Sequence, residues 1–236
     1  MSKDKLIVAL DVDSREKALA LVGELAGQVG FFKVGMELFY AAGAGIVQEI
    51  VAAGAQVFLD LKLHDIPNTV GRAARVLVRS GASIINVHAA GGAAMLRAAG
   101  ASAREEARRL GMPAPLVVAV TVLTSIDRET YQREMGFAGE IAERVRAWAL
   151  LARDSGLDGV VCSPREIELV RNACGPNFKI ITPGIRPAGA QLGDQRRVMT
   201  PEEAINAGAT HLVVGRPVTG AADRAAAAAA ILNEIS

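Results

Sequence analysis

The sequence predicts a single (β/α)8 barrel, and three observations predict it. Eight short apolar runs recur along the 236 residues, each followed by a stretch with helical patterning. The runs are almost continuously apolar, as strands are when helices cover both faces of a parallel sheet. Eight such units in a chain of this length match a compact barrel, and no linker or composition shift marks a second domain, so residues 1–236 read as one. An open doubly wound sheet is the alternative. Its glycine-rich nucleotide turn is missing after the first strand, where Asp13-Ser-Arg-Glu16 stands instead.

The first strand is the apolar run 6–12, with Asp11 and Asp13 at its end, and Ser14 is placed to cap a helix over 15–26. Residues 31–35 form the second strand and carry Lys33. A helical stretch over 37–52 is broken by Gly43 and Gly45. The third strand, 55–62, alternates Val57, Leu59 and Leu61 with Phe58, Asp60 and Lys62. Period-two alternation therefore puts Asp60 and Lys62 on one face. Asp65 follows at the turn, where a capping role is the plain reading. Pro67 suits the first turn of the helix over 68–79.

Residues 83–88 form the fourth strand and end in His88; a tight turn, Ala89-Ala-Gly-Gly92, leads to a helix over 93–110 closed by Pro113 and Pro115. The fifth strand, 116–123, precedes a polar loop over 124–139 and a helix over 140–155. The sixth strand is 159–163, with Pro164 opening the next helix, and the seventh is 179–184. A loop with Gly, Ala and Arg spans 185–199. Thr200 and Glu203 have capping-box spacing for the helix that follows. The eighth strand is 211–215 and the last helix 223–235, whose alanine tract is strong helix former rather than disorder.

Composition removes several function classes. Twenty-six basic against 25 acidic residues, with no single-sign run, excludes nucleic-acid binding by bulk charge. Two cysteines without CxxC spacing and three histidines suggest neither a disulfide framework nor a zinc site, and Cys162 reads as a small core residue. With no signal peptide and no membrane-length apolar run, the chain is expected in the cytoplasm.

The polar residues of the strands then fall together. Asp11, Lys33, Asp60, Lys62 and His88 lie at or near C-terminal strand ends, where barrel enzymes build their sites. Charges alternating around one mouth are costly as mere structure, because burying them needs pairing. His88 reads equally as a hydrogen-bonded structural residue. Across the mouth, Gly184 and Arg186 end the seventh strand, and Gly215 and Arg216 end the eighth. Barrels commonly hold phosphate in these two loops, where glycines let N–H groups approach and arginines supply forked donors.

These residues carry a resemblance. Ala9-Leu-Asp11, Phe32-Lys-Val-Gly35, Asp60-Leu-Lys-Leu-His-Asp-Ile-Pro-Asn-Thr69, Val87-His-Ala-Ala-Gly-Gly92, Val120-Thr-Val-Leu-Thr124, Pro183-Gly-Ile-Arg-Pro187, Gly193-Asp-Gln-Arg-Arg197 and Val214-Gly-Arg216 closely resemble the orotidine 5′-phosphate decarboxylase family, in family order. The resemblance implies a TIM-barrel enzyme with no cofactor and no metal. It implies that Lys62 protonates C6 of the pyrimidine as CO2 leaves, with Asp60 beside the departing carboxylate. Asp11 and Lys33 would hold the ribose, Lys33 also pairing with Asp60. Asp65 and Thr69 would reach into the partner's site of a homodimer. Thr124 would read the pyrimidine edge, Gln195 would bridge base and phosphate, and Arg186, Gly215 and Arg216 would bind the phosphate.

The chemistry implied suits the residues. A carbanion at C6 lies in the ring plane with no π sink, so preorganised charge has to stabilise it. A metal-assisted phosphosugar decarboxylase or synthase on the same barrel is the nearest rival. By the same resemblance it uses a carboxylate near the second-strand position, where this chain has Lys33. A Schiff-base aldolase needs a lysine removed from carboxylates, and Lys62 is flanked by two. A non-catalytic phosphate-binding barrel is the rival from another class, and it should have lost Lys62 or one aspartate.

Overall fold

The structure, a computed structural model, describes residues 2–187 and 199–236. Eight strands pair in parallel in sequence order, and the eighth closes on the first: β1 Leu6–Ala9, β2 Phe31–Gly35, β3 Gln56–Leu63, β4 Ile84–His88, β5 Leu116–Val120, β6 Gly159–Val161, β7 Lys179–Thr182 and β8 His211–Val214. The helices between them are α1 Arg15–Leu25, α2 Met36–Ala42, α3 Gly45–Ala52, α4 Pro67–Arg79, α5 Gly92–Leu110, α6 Ile141–Asp154, α7 Ile167–Cys174 and α8 Pro201–Asn206. Two more, α9 Arg216–Thr219 and α10 Arg224–Glu234, follow β8. The expected (β/α)8 barrel is the observed one.

Most local signals act as the sequence indicates. Ser14 accepts from the Lys17 N–H at the start of α1. Thr200 and Glu203 form a reciprocal capping box. Gly43, at φ 76°, separates α2 from α3. Three details differ. Strands β1, β5, β6 and β7 stop short of the expected ends, because ladder pairing ceases earlier, leaving Asp11 beyond β1. Helix α5 ends at left-handed Gly111 rather than at the prolines downstream. The cap of α4 is Ile66, with no side-chain bond, so Asp65 is not a helix cap; its carboxylate accepts from the Ile66 N–H at 2.6 Å.

Two apolar layers hold the barrel. One lies between strands and helices. The other fills the barrel interior and includes Ile7, Phe31, Phe58, Ile84, Val118 and Ile181, each almost wholly buried. Fully burying a side chain of this size is worth about 1.5–3 kcal/mol. Further along β1 to β4, the same inward direction is occupied by Asp11, Lys33, Asp60 and Asn86. An apolar plug thus underlies a polar ring.

Outside the barrel, α4 and α5 are tied by a buried acid. Glu106 accepts from Arg79 at 2.7 Å and from Arg109 at 2.7 and 3.0 Å. Hydrogen bonds from Arg109 and then Arg79 push its carboxyl down to about 2. Nothing in the sequence pattern singles this cluster out.

Candidate active site

A cavity of about 210 Å³ opens at the C-terminal strand ends. Lys33, Asp60 and Lys62 line one side with Thr124 and Ser125, while Phe58, Val120, Val122, Leu123, Val161 and Pro183 make an apolar wall. Cys162 also lines it and is buried, and its thiol is pushed up by that burial. Both cysteines are free thiols.

The charged ring is a continuous chain of contacts. Lys33 Nζ donates to Asp11 Oδ1 at 3.0 Å and lies 3.5 Å from Asp60 Oδ2. Lys62 Nζ donates to Asp60 Oδ1 at 2.7 Å. Asp60 and Lys33 are 13% and 12% exposed in their side chains, Lys62 29% and Asp11 62%, so the centre of the chain is the part removed from water. Burial raises the Asp60 carboxyl more than any other single influence, but Lys33, Lys62 and Asn86 together outweigh it and hold the group below its ordinary value. Asp60 is thus a fixed anion between two cations. Gly35 makes room for this: a Cβ there would stand 3.1 Å from Lys33 Nζ.

The backbone at this point is irregular. Leu59 pairs with Ile85 and Leu63 with Val87, so β3 takes four steps where β4 takes two. Lys62 sits inside the irregularity at φ 51°, the only non-glycine residue with positive φ among the described residues. A non-glycine residue there costs on the order of 1–3 kcal/mol. The simple alternation expected from the sequence therefore brings Asp60 and Lys62 together, but over a bulged strand rather than a regular one.

Asn86 occupies the gap. Its Oδ1 accepts from the Lys62 backbone N–H at 2.8 Å, and its Nδ2 donates to Asp60 Oδ1 at 2.6 Å. The sequence reading passed over this residue. The signal was present: Asn86 follows inward-facing Ile84 by two residues and interrupts the apolar run of β4 ahead of its terminal His88.

The other expected residues are placed as follows. Thr124 lines the cavity. Asp65 and Thr69 are exposed and lie outside the cavity wall of their own chain. Arg186 is buried, donates to the Ile185 carbonyl at 2.9 Å, and has its guanidinium pushed down by burial and by nearby Arg216. Gly184 takes φ 78°, a conformation that favours glycine, and Gly215 precedes Arg216 at the start of α9. Gln195 lies outside the described residues. His88 does not line the cavity. It stacks on His64 with centroids 5.4 Å apart, meets Trp148 edge-on at 5.8 Å, and accepts from the Ala90 N–H. Burial first, then His64 and Lys62, push its imidazole down. These contacts fit the structural reading of His88. Among the described residues, no group of three or more His, Cys, Asp or Glu is arranged to hold a metal ion.

Comparisons with known proteins extend over nearly the whole chain. A model of the orotidine 5′-phosphate decarboxylase / HUMPS family matches residues 4–231. A Moorella thermoacetica protein named orotidine 5′-phosphate decarboxylase is 59% identical over 234 residues, 99% of this chain and 93% of its own length. One of the same name from Syntrophomonas wolfei is 52% identical over 235 residues, covering 99% of this chain and 98% of that one. The crystal structure of orotidine 5′-phosphate decarboxylase from Lactobacillus acidophilus is similar with a TM-score of 0.86 at 39% identity, covering 98% of each chain.

Proposed function

The chain belongs to the orotidine 5′-phosphate decarboxylase / HUMPS family, and from that membership we propose that it converts orotidine 5′-phosphate to uridine 5′-phosphate and CO2, in pyrimidine biosynthesis and without a cofactor. Residues 1–236 act as one catalytic domain in the cytoplasm. No helix among the described residues is long and apolar enough to cross a membrane.

The observation that carries the reading is the Asp11–Lys33–Asp60–Lys62 chain with the Lys62 ammonium at the cavity. Two cations and two carboxylates balance one another, so an incoming carboxylate disturbs an electrostatic array that is already set. The C6–carboxylate bond breaks with its electron pair left on C6. The Lys62 ammonium stabilises that pair and passes one proton to C6, and solvent reprotonates the amine. Such fixed charge costs no reorganisation at the moment of reaction. Asp60 keeps Lys62 in place and stands beside the leaving carboxylate. Lys33 and Asp11 take the ribose hydroxyls and Thr124 the pyrimidine edge. Arg186, Gly215, Arg216 and Gln195 take the phosphate. Support for that last part is the position of Arg186 and Arg216 just past β7 and β8, near enough that one influences the other, where barrels commonly hold phosphate.

The same proposal makes the enzyme a homodimer in which Asp65 and Thr69 complete the partner's site. Its support is their exposure outside their own cavity, within an exposed run over 64–69. Ile66 in that run is 65% exposed, and Tyr40 on the preceding barrel unit 75%. Large apolar side chains left exposed are available to an association surface.

The deciding experiment follows CO2 release from orotidine 5′-phosphate by the purified protein, before and after exhaustive chelation. Equal turnover in both is expected. No release overturns the assignment, and release lost to chelator but restored by Mg²⁺ moves the protein to the metal-assisted rival.

A further inference from the structure

The charge pair at the cavity is held by a third side chain that does not itself line the cavity. We propose that Asn86 is a positioning residue for the decarboxylation: one buried amide fixes the backbone of Lys62 with its oxygen and the carboxylate of Asp60 with its nitrogen. The inference rests on the proposed reaction and deepens it.

Three observations carry it. First, Asn86 is 1% exposed, and both of its bonds are short, 2.8 Å to the Lys62 N–H and 2.6 Å to Asp60 Oδ1. Second, the backbone bond replaces sheet pairing. The β3–β4 ladder is interrupted between Leu59 and Leu63, and the Asn86 side chain supplies the acceptor for the Lys62 N–H there. Without it, that N–H is left unpaired in a half-buried strand, and the left-handed turn at φ 51° loses the bond that holds it. Third, Asp60 Oδ1 accepts from Asn86 and from Lys62 Nζ together. The carboxylate plane is thereby set, and with it the direction from which the ammonium approaches.

The residue type follows. The task needs one acceptor and one donor in a single planar group of no charge. Asparagine supplies both, serine too short a reach, leucine neither, and ionised aspartate only acceptors. A charged group here would unbalance the two-cation, two-carboxylate array. The amide orientation is fixed by its partners, since a flipped amide would set NH2 against N–H and oxygen against carboxylate.

Substrate recognition by phosphate and ribose lies elsewhere, so the loss should fall on turnover. Asn86→Ala is expected to lower kcat about a hundredfold, the scale of an ångström-sized misplacement of a reacting group. KM should stay within about threefold, and binding of uridine 5′-phosphate by calorimetry should be retained. Asn86→Asp gives the sharper readout. Ionised, the introduced carboxyl would face the Asp60 carboxylate without a donor, and kcat should be as low as in the alanine variant. Protonated, it has an O–H for Asp60 and a C=O for the Lys62 N–H, so it reproduces the amide. The kcat of Asn86→Asp relative to Asn86→Ala should therefore rise as pH falls from about 8 to 5, the two facing carboxyls sharing a proton. A residue needed only for folding would show no such rise. Asn86→Ala within threefold of wild-type kcat, or Asn86→Asp running parallel to Asn86→Ala at every pH, overturns the inference. If Asn86→Ala fails to bind uridine 5′-phosphate, Asn86→Asp against wild type decides, on the same acid recovery. Wild type that releases no CO2 fails the reaction assignment itself, which is separate from an active wild type with unaffected variants.

Discussion

Lys62 Nζ lies 2.7 Å from Asp60 Oδ1, two residues back along the same strand, although the strand between them is not regular. That contact leaves the ammonium fixed at the cavity rather than free to follow solvent. Lys62→Ala should lose at least about a thousandfold in kcat while uridine 5′-phosphate still binds, because a developing carbanion loses both its counter-charge and its proton source. Steady-state decarboxylation and calorimetry check this. Decarboxylation near the wild-type rate would remove Lys62 from its role.

The two arginines past β7 and β8 give a second expectation. Remote phosphate binding can be used to lower the barrier at the reacting carbon. Arg216→Ala should then lose roughly 2–5 kcal/mol in kcat/KM, as when one member of a buried charge pair is removed. Orotidine lacking its phosphate should be a poor substrate. Equal kcat/KM for orotidine and its 5′-phosphate would sink the idea.

Asp65 can be tested by mixing. Lys62→Ala and Asp65→Ala should each be inactive alone. After subunit exchange, roughly half the dimers are mixed, and each mixed dimer has one site with Lys62 from one chain and Asp65 from the other. Activity should return to about a quarter of wild type, because a two-fold interface is reciprocal. No recovery, with exchange verified by mass, would confine Asp65 to its own chain.

His211 sets a pH limit at the opposite end of the barrel. It is 8% exposed, meets Phe31 edge-on, and lies 2.9 Å from Thr210 Oγ1. Burial first, then Lys179, push its imidazole down to about 4 from 6.5. The unfolded chain takes up this proton near pH 6.5 and the folded chain only near 4. The contribution is therefore complete above about pH 6.5 and is lost between about 6.5 and 4, amounting to roughly 3 kcal/mol. Urea unfolding at stepped pH should show His211→Gln losing less stability across that window than wild type. Parallel curves would refute it.

The sequence made some of this legible and hid the rest for physical reasons. Asp60 and Lys62 stand out because ionised groups in an apolar strand demand partners, and period two places both inside the barrel. The bulge does not show: left-handed backbone is signalled by glycine, and here it is adopted by Lys62, held by a side chain 24 residues away. Asn86 was passed over because a single amide in an apolar strand carries no charge. Its value appears only when β4 is laid beside the interrupted part of β3. His88, which the sequence reads equally as a site or a structural residue, stacks on His64 and meets Trp148, a contact supplied by α6 from far along the chain.

The apolar plug of Ile7, Phe31, Phe58, Ile84, Val118 and Ile181 makes the cavity a cul-de-sac. Whatever enters from the C-terminal strand ends has to leave by the same doorway. Under the proposed reaction, the nucleotide product would occupy the passage that the next substrate needs, and the two are expected to exclude one another, giving product inhibition competitive with substrate. In the proposed reaction, carbon dioxide would share that exit and have to slip past the nucleotide or wait for it to go. The filled barrel that keeps the charges in place also imposes traffic in one lane.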